Sequence, residues 1–271
     1  MRIVNLIENT AGESGCAFEH GLSFYVETDK HKLLVDTGAT DAFLMNAEAL
    51  GIDLREVDSV ILSHGHYDHG GGILAFAKQN PHAGIYIRDC AFEPLYHKNE
   101  QMEKYIGLNP EIRNLPQVIM VRDNLRIDEE LFLFTNVTGR RLWPAGNLEL
   151  KRKTDDGFIV DQMEHEQYLL ISFKDRLLLF SGCAHNGVLN ILDACKKLTG
   201  RVPDAVISGF HMRKKNGYTE EDFELIRQTA RELKQYPTHF YTGHCTGLIP
   251  YDIMKEIMGD QLSYVHSGDR I

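Results

Sequence analysis

No run of eighteen apolar residues occurs in the chain, so no membrane span is expected. A charged and then apolar leader is also missing, since Met1-Arg2-Ile3-Val4-Asn5-Leu6 enters a strand-like run at once. Both absences point to a cytoplasmic protein with no membrane partner. An excess of positive charge is lacking too. Asp and Glu number 39 against 29 Lys and Arg, giving a formal charge of −10. That balance has no electrostatic footprint for a nucleic-acid backbone, and no nucleic-acid partner is expected. Two local basic clusters, Arg140, Arg141, Lys151, Arg152 and Lys153, then Arg213, Lys214 and Lys215, read as solvated faces. Cysteine is sparse: Cys16, Cys90, Cys183, Cys195 and Cys245 make an odd count with no C-x-x-C pair. This excludes a disulfide framework and fits a reducing compartment. Cys90 and Cys195 read as small buried hydrophobes. Cys183 and Cys245 each stand beside a histidine with ligand potential.

What the chain does have is histidine in one place. Ser63-His64-Gly65-His66-Tyr67-Asp68-His69-Gly70-Gly71-Gly72 packs three imidazoles and a carboxylate into six residues. Ser59-Val60-Ile61-Leu62 before it reads as a buried strand, and Ile73-Leu74-Ala75-Phe76-Ala77 after it as the start of a helix. The ligand-type residues therefore lie in a loop at a strand end, where a rigid scaffold presents chemistry. Neutral imidazole and carboxylate suit zinc and related divalent ions. His64 and His66 are two apart, so extended backbone points both the same way. Asp68 and His69, from the following turn, can reach a second ion. Two ions about 3.5–4 Å apart can activate water and clamp an oxygen.

At 271 residues with 43% hydrophobic composition, the chain suits one large domain over residues 1–271. Strands are predicted at 2–8, 22–28, 32–36, 83–88, 117–122, 131–137, 168–173, 177–180, 204–208, 238–242 and 262–266. Helices are predicted at 41–50, 72–78, 188–198, 220–235 and 251–258. Thr219 is an expected N-cap, and Glu220, Glu221 and Asp222 suit the positive end of that helix dipole. Residues 90–97 read as a short helix. The stretches 89–116 and 138–164 read as inserts near the site mouth, the second as a long polar loop carrying the only tryptophan, Trp143.

The signature H-x-H-x-D-H resembles that of the metallo-β-lactamase fold superfamily. Further pieces follow in that order: Leu33-Leu34-Val35-Asp36-Thr37-Gly38, Leu178-Leu179-Phe180-Ser181-Gly182-Cys183 and Tyr241-Thr242-Gly243-His244. The resemblance spans essentially the whole chain. It implies an α/β architecture, a four-layer αββα sandwich with all candidate ligands at one edge. It also implies a small-molecule substrate and two divalent ions, zinc foremost, with manganese or iron as alternatives. The ligand sets it implies are His64, His66 and His185 for one ion, and Asp68, His69 and His244 for the other. His165 is the rival of His185 for the third histidine position. Cys183 stands where the family often has a bridging Asp, either as a thiolate ligand or as the small residue a tight turn needs. Asp36 would orient the histidine loop, or serve as a plain turn residue. His211, after Gly209-Phe210, would be a general acid or substrate clamp, or a surface histidine; His20 is a weaker candidate of the same kind. The implied activity is a metal-dependent hydrolase of a small phosphoester or carbonyl compound. Together with Glu19-His20-Gly21-Leu22-Ser23 and Gly182-Cys183-Ala184-His185-Asn186-Gly187, these motifs resemble the branch named for 7,8-dihydropterin-6-methyl-4-(β-D-ribofuranosyl)aminobenzene 5′-phosphate synthase. That branch implies an alternative, a transferase joining a dihydropterin pyrophosphate to a ribosylaminobenzene phosphate. A non-catalytic metal-binding protein is the remaining alternative.

Overall fold

A computed structural model describes residues 1–215 and 217–271. The chain alternates short apolar strands with amphipathic helices, and the strands collect into two face-to-face sheets. The first sheet has six strands in the order Arg2–Ile7, Ser23–Glu27, Lys32–Val35, Ser59–Ile61, Gly84–Arg88, Val118–Val121. The second has seven, in the order Leu262–Tyr264, His239–Thr242, Ala205–Ile207, Arg176–Phe180, Gln167–Phe173, Leu131–Thr135, Leu125–Arg126. In each sheet an antiparallel hairpin at one side passes into parallel pairs, where helices make the crossovers.

The layers follow from the two-residue period of a strand. Leu33, Val35 and Ile61 of the first sheet meet Leu169, Ile171, Leu178 and Phe180 of the second in the central core. Their neighbours Leu34, Val60 and Leu62 point the other way, onto Phe43 of helix Ala42–Ala49 and Phe76 of helix Ile73–Gln79. On the far side, Leu170, Leu179 and Val206 pack under helices Val188–Thr199, Glu220–Leu233 and Leu248–Met258. The result is the expected αββα sandwich. Thr219 caps its helix in a full capping box with Asp222.

Two sequence expectations need correction. Residues 90–97 are not a helix: a single 3-10 turn, Asp89–Phe92, leads into the strand Leu95–Lys98. Nor is 138–164 a featureless loop. It carries a 3-10 turn, Ala145–Glu149, and the hairpin Leu150–Thr154/Gly157–Val160. These strands join Leu95–Lys98 and Glu103–Tyr105 in a third, four-stranded sheet. The pairing of Leu95–Lys98 with Leu150–Thr154, which leaves no mark in a local window, joins the two hairpins into one sheet. Cys90 is also only half-buried, whereas Cys195 is fully buried as expected. The small sheet lies against the signature loop, because Leu95, Ile106, Leu150 and Met163 form a minor core that Tyr67 covers. No helix among the described residues is long and apolar enough to cross a membrane.

Candidate metal centre

Every candidate ligand sits in a turn just after a strand, and those turns share one edge of the sandwich. The signature turn follows Ser59–Ile61, the Cys183–His185 turn follows Arg176–Phe180, and the His244 turn follows His239–Thr242. Gln167 ties the two sheets together at this edge: its amide donates to the Leu62 and Tyr86 carbonyls, and its backbone N–H to Ser63. Several site residues occupy left-handed backbone: Asp36 at φ 61°, and Ala184, His211 and His244 each at φ 50°. Such conformations are uncommon outside glycine and cost free energy, so the surroundings must hold them. Two buried carboxylates do so. Glu8 accepts the backbone N–H of His244 and, at 2.9 Å, the Tyr264 hydroxyl. Glu166 accepts the N–H groups of His185 at 2.5 Å and Asn186 at 2.9 Å.

His64, His66 and His185 form the first cluster, with ring centroids 4.6, 4.8 and 4.9 Å apart in pairs. The Nε2 atoms of all three are buried and have no hydrogen-bond partner. Burial pushes the His66 pKa down to about 3, and those of His64 and His185 well below 6.5. Three neutral imidazoles with buried, unused lone pairs cost free energy unless something accepts them. A divalent cation is the acceptor that suits them.

The second cluster is Asp68, His69 and His244, with Cys183. His69 Nε2 lies 3.2 Å from His244 Nε2, and His244 Nε2 3.4 Å from Asp68 Oδ2. His69 Nε2 is 3.9 Å from Asp68 Oδ2 and 3.2 Å from Cys183 Sγ. Two donors about 2.05 Å from one tetrahedral ion stand about 3.3 Å apart, so these spacings fit a single ion. The field agrees. Burial opposes charge on His69, but Asp36 and Asp68 outweigh it and push its pKa up to about 9. Burial likewise opposes charge on Asp68, yet the imidazoles around it, His69 foremost, hold its pKa well below the carboxylate range. A site that attracts positive charge so strongly suits a cation. Cys183 belongs to both groups: its sulfur lies within 4.8 Å of ligand atoms of His64 and His185, and of His69 and His244. The residue this tight turn needs small is the preceding Gly182 (φ 55°), where a Cβ would come 2.3 Å from Ser63 Oγ.

The imidazoles are aimed from behind. His69 Nδ1 donates to Asp36 Oδ2 at 2.7 Å. His64 Nδ1 donates to Ser63 Oγ at 2.9 Å, and that hydroxyl donates to Asp36 Oδ2 at 2.8 Å. His185 Nδ1 donates to Asn147 Oδ1 and His244 Nδ1 to Asn9 Oδ1, each at 2.9 Å. In the neutral rings a bonded Nδ1 fixes the tautomer that leaves the Nε2 lone pair free; on His69, where Asp36 and Asp68 favour the charged ring, a cation at Nε2 would take the place of the second proton. Asp36 is thus no mere turn residue: Oδ1 takes the Ser63 N–H at 2.7 Å, and Oδ2 serves the hydroxyl and His69. It acts through those groups, as a positioning residue.

His165, the rival of His185, has no lone pair to offer. Its Nδ1 accepts the Gly65 N–H at 3.1 Å, and its Nε2 donates to Asp161 at 2.9 Å. It supports the signature loop from below. His211 stands with its ring centroid 4.1 Å from that of His185, and its Nδ1 is buried without a partner. His20, at the exposed rim, stacks on His244 at 5.1 Å and lies 3.3 Å from Asp68 Oδ2. Sequence reasoning missed Glu8, Asn9, Asn147 and Glu166. No local pattern marks them, although Asn9 stands at the end of a strand, as the ligands do.

A family model described as the metallo-beta-lactamase superfamily matches residues 17–220. The 7,8-dihydropterin-6-methyl-4-(beta-D-ribofuranosyl)-aminobenzene-5′-phosphate synthase of Methanocaldococcus jannaschii is 29% identical over 99% of this chain and 95% of its own. The solved structure of Tm1679, a metal-dependent hydrolase of the beta-lactamase superfamily, is 29% identical, with a TM-score of 0.82 over 100% of this chain and 98% of that one. Zn(2+)-bound PqqB from Methylobacterium extorquens shares the fold, at 14% identity and a TM-score of 0.56 over 100% of this chain and 99% of its own.

Proposed function

Since this chain belongs to the metallo-beta-lactamase superfamily, we propose that it is a dinuclear metal-dependent hydrolase of a small phosphoester or carbonyl substrate. The observation that carries the reading is the set of three buried, unpartnered Nε2 atoms on His64, His66 and His185, beside the converging donors of Asp68, His69 and His244. His64, His66 and His185 would hold one ion, and Asp68, His69 and His244 the other, with Cys183 between them. Zinc fits the imidazole-rich, thiol-containing donor set best, ahead of manganese or iron. When bound, such a pair lowers the pKa of water and polarises a substrate oxygen.

The chain's own residues supply the rest. Asp36, Ser63, Asn9 and Asn147 keep the ring nitrogens aimed, so little reorganisation is needed at the moment of reaction. Asp68 Oδ2 is held ionised at the inner end of the His20 rim, the state a cation ligand needs. His211, beside His185, would donate a proton to the leaving oxygen or clamp the substrate. Replacing His66 with Ala should abolish turnover across a phosphoester, ester and lactone panel while circular dichroism stays unchanged. Full activity after metal stripping refutes the proposal.

A second reading is a transferase that joins a dihydropterin pyrophosphate to a ribosylaminobenzene phosphate. Its support is the synthase relative, which aligns along nearly the full length of both chains. Incubation with both substrates decides it, and absence of a joined product rejects it. A non-catalytic metal protein remains only if the whole panel and this incubation give no turnover.

A further inference from the structure

The cysteines show no pairing in sequence, yet the fold brings two of them together. Cys183 and Cys245 stand 62 residues apart in the chain. They lie in the turns after strands Arg176–Phe180 and His239–Thr242, and both are buried. Their sulfurs are within 4.8 Å of one another and of a His211 ring nitrogen. The Cys245 thiol donates to the Cys183 carbonyl oxygen at 3.6 Å, and the His211 backbone N–H donates to Cys245 Sγ at 3.3 Å.

The backbone around the pair is held, and room beside the sulfur is kept. Cys245 O accepts the N–H groups of Met212 at 2.9 Å and Arg213 at 2.8 Å. Gly182 O, next to Cys183, accepts the Gly209 N–H at 2.7 Å. A Cβ on Gly209 would come 2.3 Å from Cys245 Sγ, so only a glycine there leaves that sulfur its place. The gap left to an S–S bond of about 2.05 Å is roughly 2.8 Å at most, which rotation about the two Cα–Cβ bonds covers.

We propose that Cys183 and Cys245 are an oxidisable dithiol, a modification site at which a small peroxide converts the two thiols to a disulfide. Cys245 keeps 7% of its surface exposed and Cys183 only 3%, so a small neutral oxidant suits the site and Cys245 reacts first. Its sulfur attacks one peroxide oxygen and breaks the O–O bond, giving a sulfenic acid and water. The Cys183 sulfur then displaces hydroxide, which leaves as water with the Cys183 proton. Two electrons pass from the sulfurs to the peroxide. The pairing rests on sulfur geometry alone. Its consequence rests on the metal reading: Cys183 Sγ lies 3.2 Å from His69 Nε2, and the new bond withdraws it from both ligand clusters.

The experiment treats the purified, metal-loaded protein with hydrogen peroxide, alkylates the remaining thiols under denaturing conditions and maps peptides by mass. One disulfide joining Cys183 to Cys245 should form and be reversed by dithiothreitol, while Cys16, Cys90 and Cys195 are alkylated. Metal affinity, read with a chromogenic chelator, should fall about tenfold or more with the cross-link. Cys245→Ser and Cys245→Ala should show neither change. Five alkylated cysteines, a disulfide through any other cysteine, or over-oxidised sulfur without a cross-link overturns the site. A cross-link with metal affinity unchanged overturns its effect on the metals. Because the cross-link is read by mass, a failed hydrolysis panel leaves it standing, and its absence leaves the hydrolase reading standing.

Discussion

Asp36→Asn isolates one physical claim, that a carboxylate aims the imidazoles. The substitution is nearly isosteric. Asn also tolerates left-handed backbone, so the φ of 61° at this position adds no new strain. What changes is hydrogen-bond polarity. The carboxylate accepts from Ser63 N at 2.7 Å, Ser63 Oγ at 2.8 Å and His69 Nδ1 at 2.7 Å. An Asn can accept with only one oxygen, so its NH2 must face Ser63 Oγ and His69 Nδ1, or Ser63 N. In the first orientation His69 can satisfy the new donor only by moving its proton to Nε2, which removes the lone pair facing His244 and Asp68. Loss of such a support costs about 10–100-fold in metal affinity, or about 1.4–2.8 kcal/mol. Lost charge-assisted bonding costs folding about 1–3 kcal/mol, less than a typical domain's total stability. The variant should therefore stay folded. Chelator competition followed by elemental analysis should show about half the metal lost at chelator levels that spare the parent. Both ions retained with unchanged affinity would refute the tautomer argument.

Three other outcomes are expected. His185→Ala should lower bound metal by about one ion per chain, whereas His165→Ala should leave the count unchanged by elemental analysis, since His165 spends both nitrogens on Gly65 and Asp161. Chelation should lower Tm in calorimetry: each site saturated at about 100 times its Kd contributes about 2.7 kcal/mol, equivalent to roughly 5–11 °C for a domain of this size. A third outcome concerns pH. His31 is partly buried, which opposes its charge, but hydrogen bonds to Asp128 and Asp58 outweigh this and raise its pKa above 6.5. The sign follows from the raised folded value. The stability advantage over His31→Gln should be full below pH about 6.5 and be lost as pH rises from there through the raised folded value, in urea melts. An advantage that grows with pH would show that the ion pairs are not the cause.

The signature at 63–72, the strand-ending Asp36 and the turns at Cys183 and His244 were legible because each is a short run in a fixed local context. Most strands and helices were legible for the same reason, since their periods are local, whereas the sandwich they build was implied by the family resemblance of those motifs. The hairpin at 150–160 turns at Asp155-Asp156, with Gly157 opening the return strand, and the polar composition around it obscured that signal. The strand Leu95–Lys98 was harder to see, because one of its partners, Leu150–Thr154, is remote in the chain.

By itself, the order of residues determined which chemical groups were available and that they would lie after strands, because backbone pattern and turn chemistry act over a few positions. Only the tertiary structure decided which imidazoles keep a free lone pair. His185 and His165 are similar histidines in sequence; one meets the side-chain oxygen of Asn147 at its Nδ1, while the other meets the Gly65 N–H and Asp161 at its two nitrogens. A ring nitrogen's availability depends on what its other nitrogen touches. Those partners come from distant parts of the chain, so folding alone assigns the role.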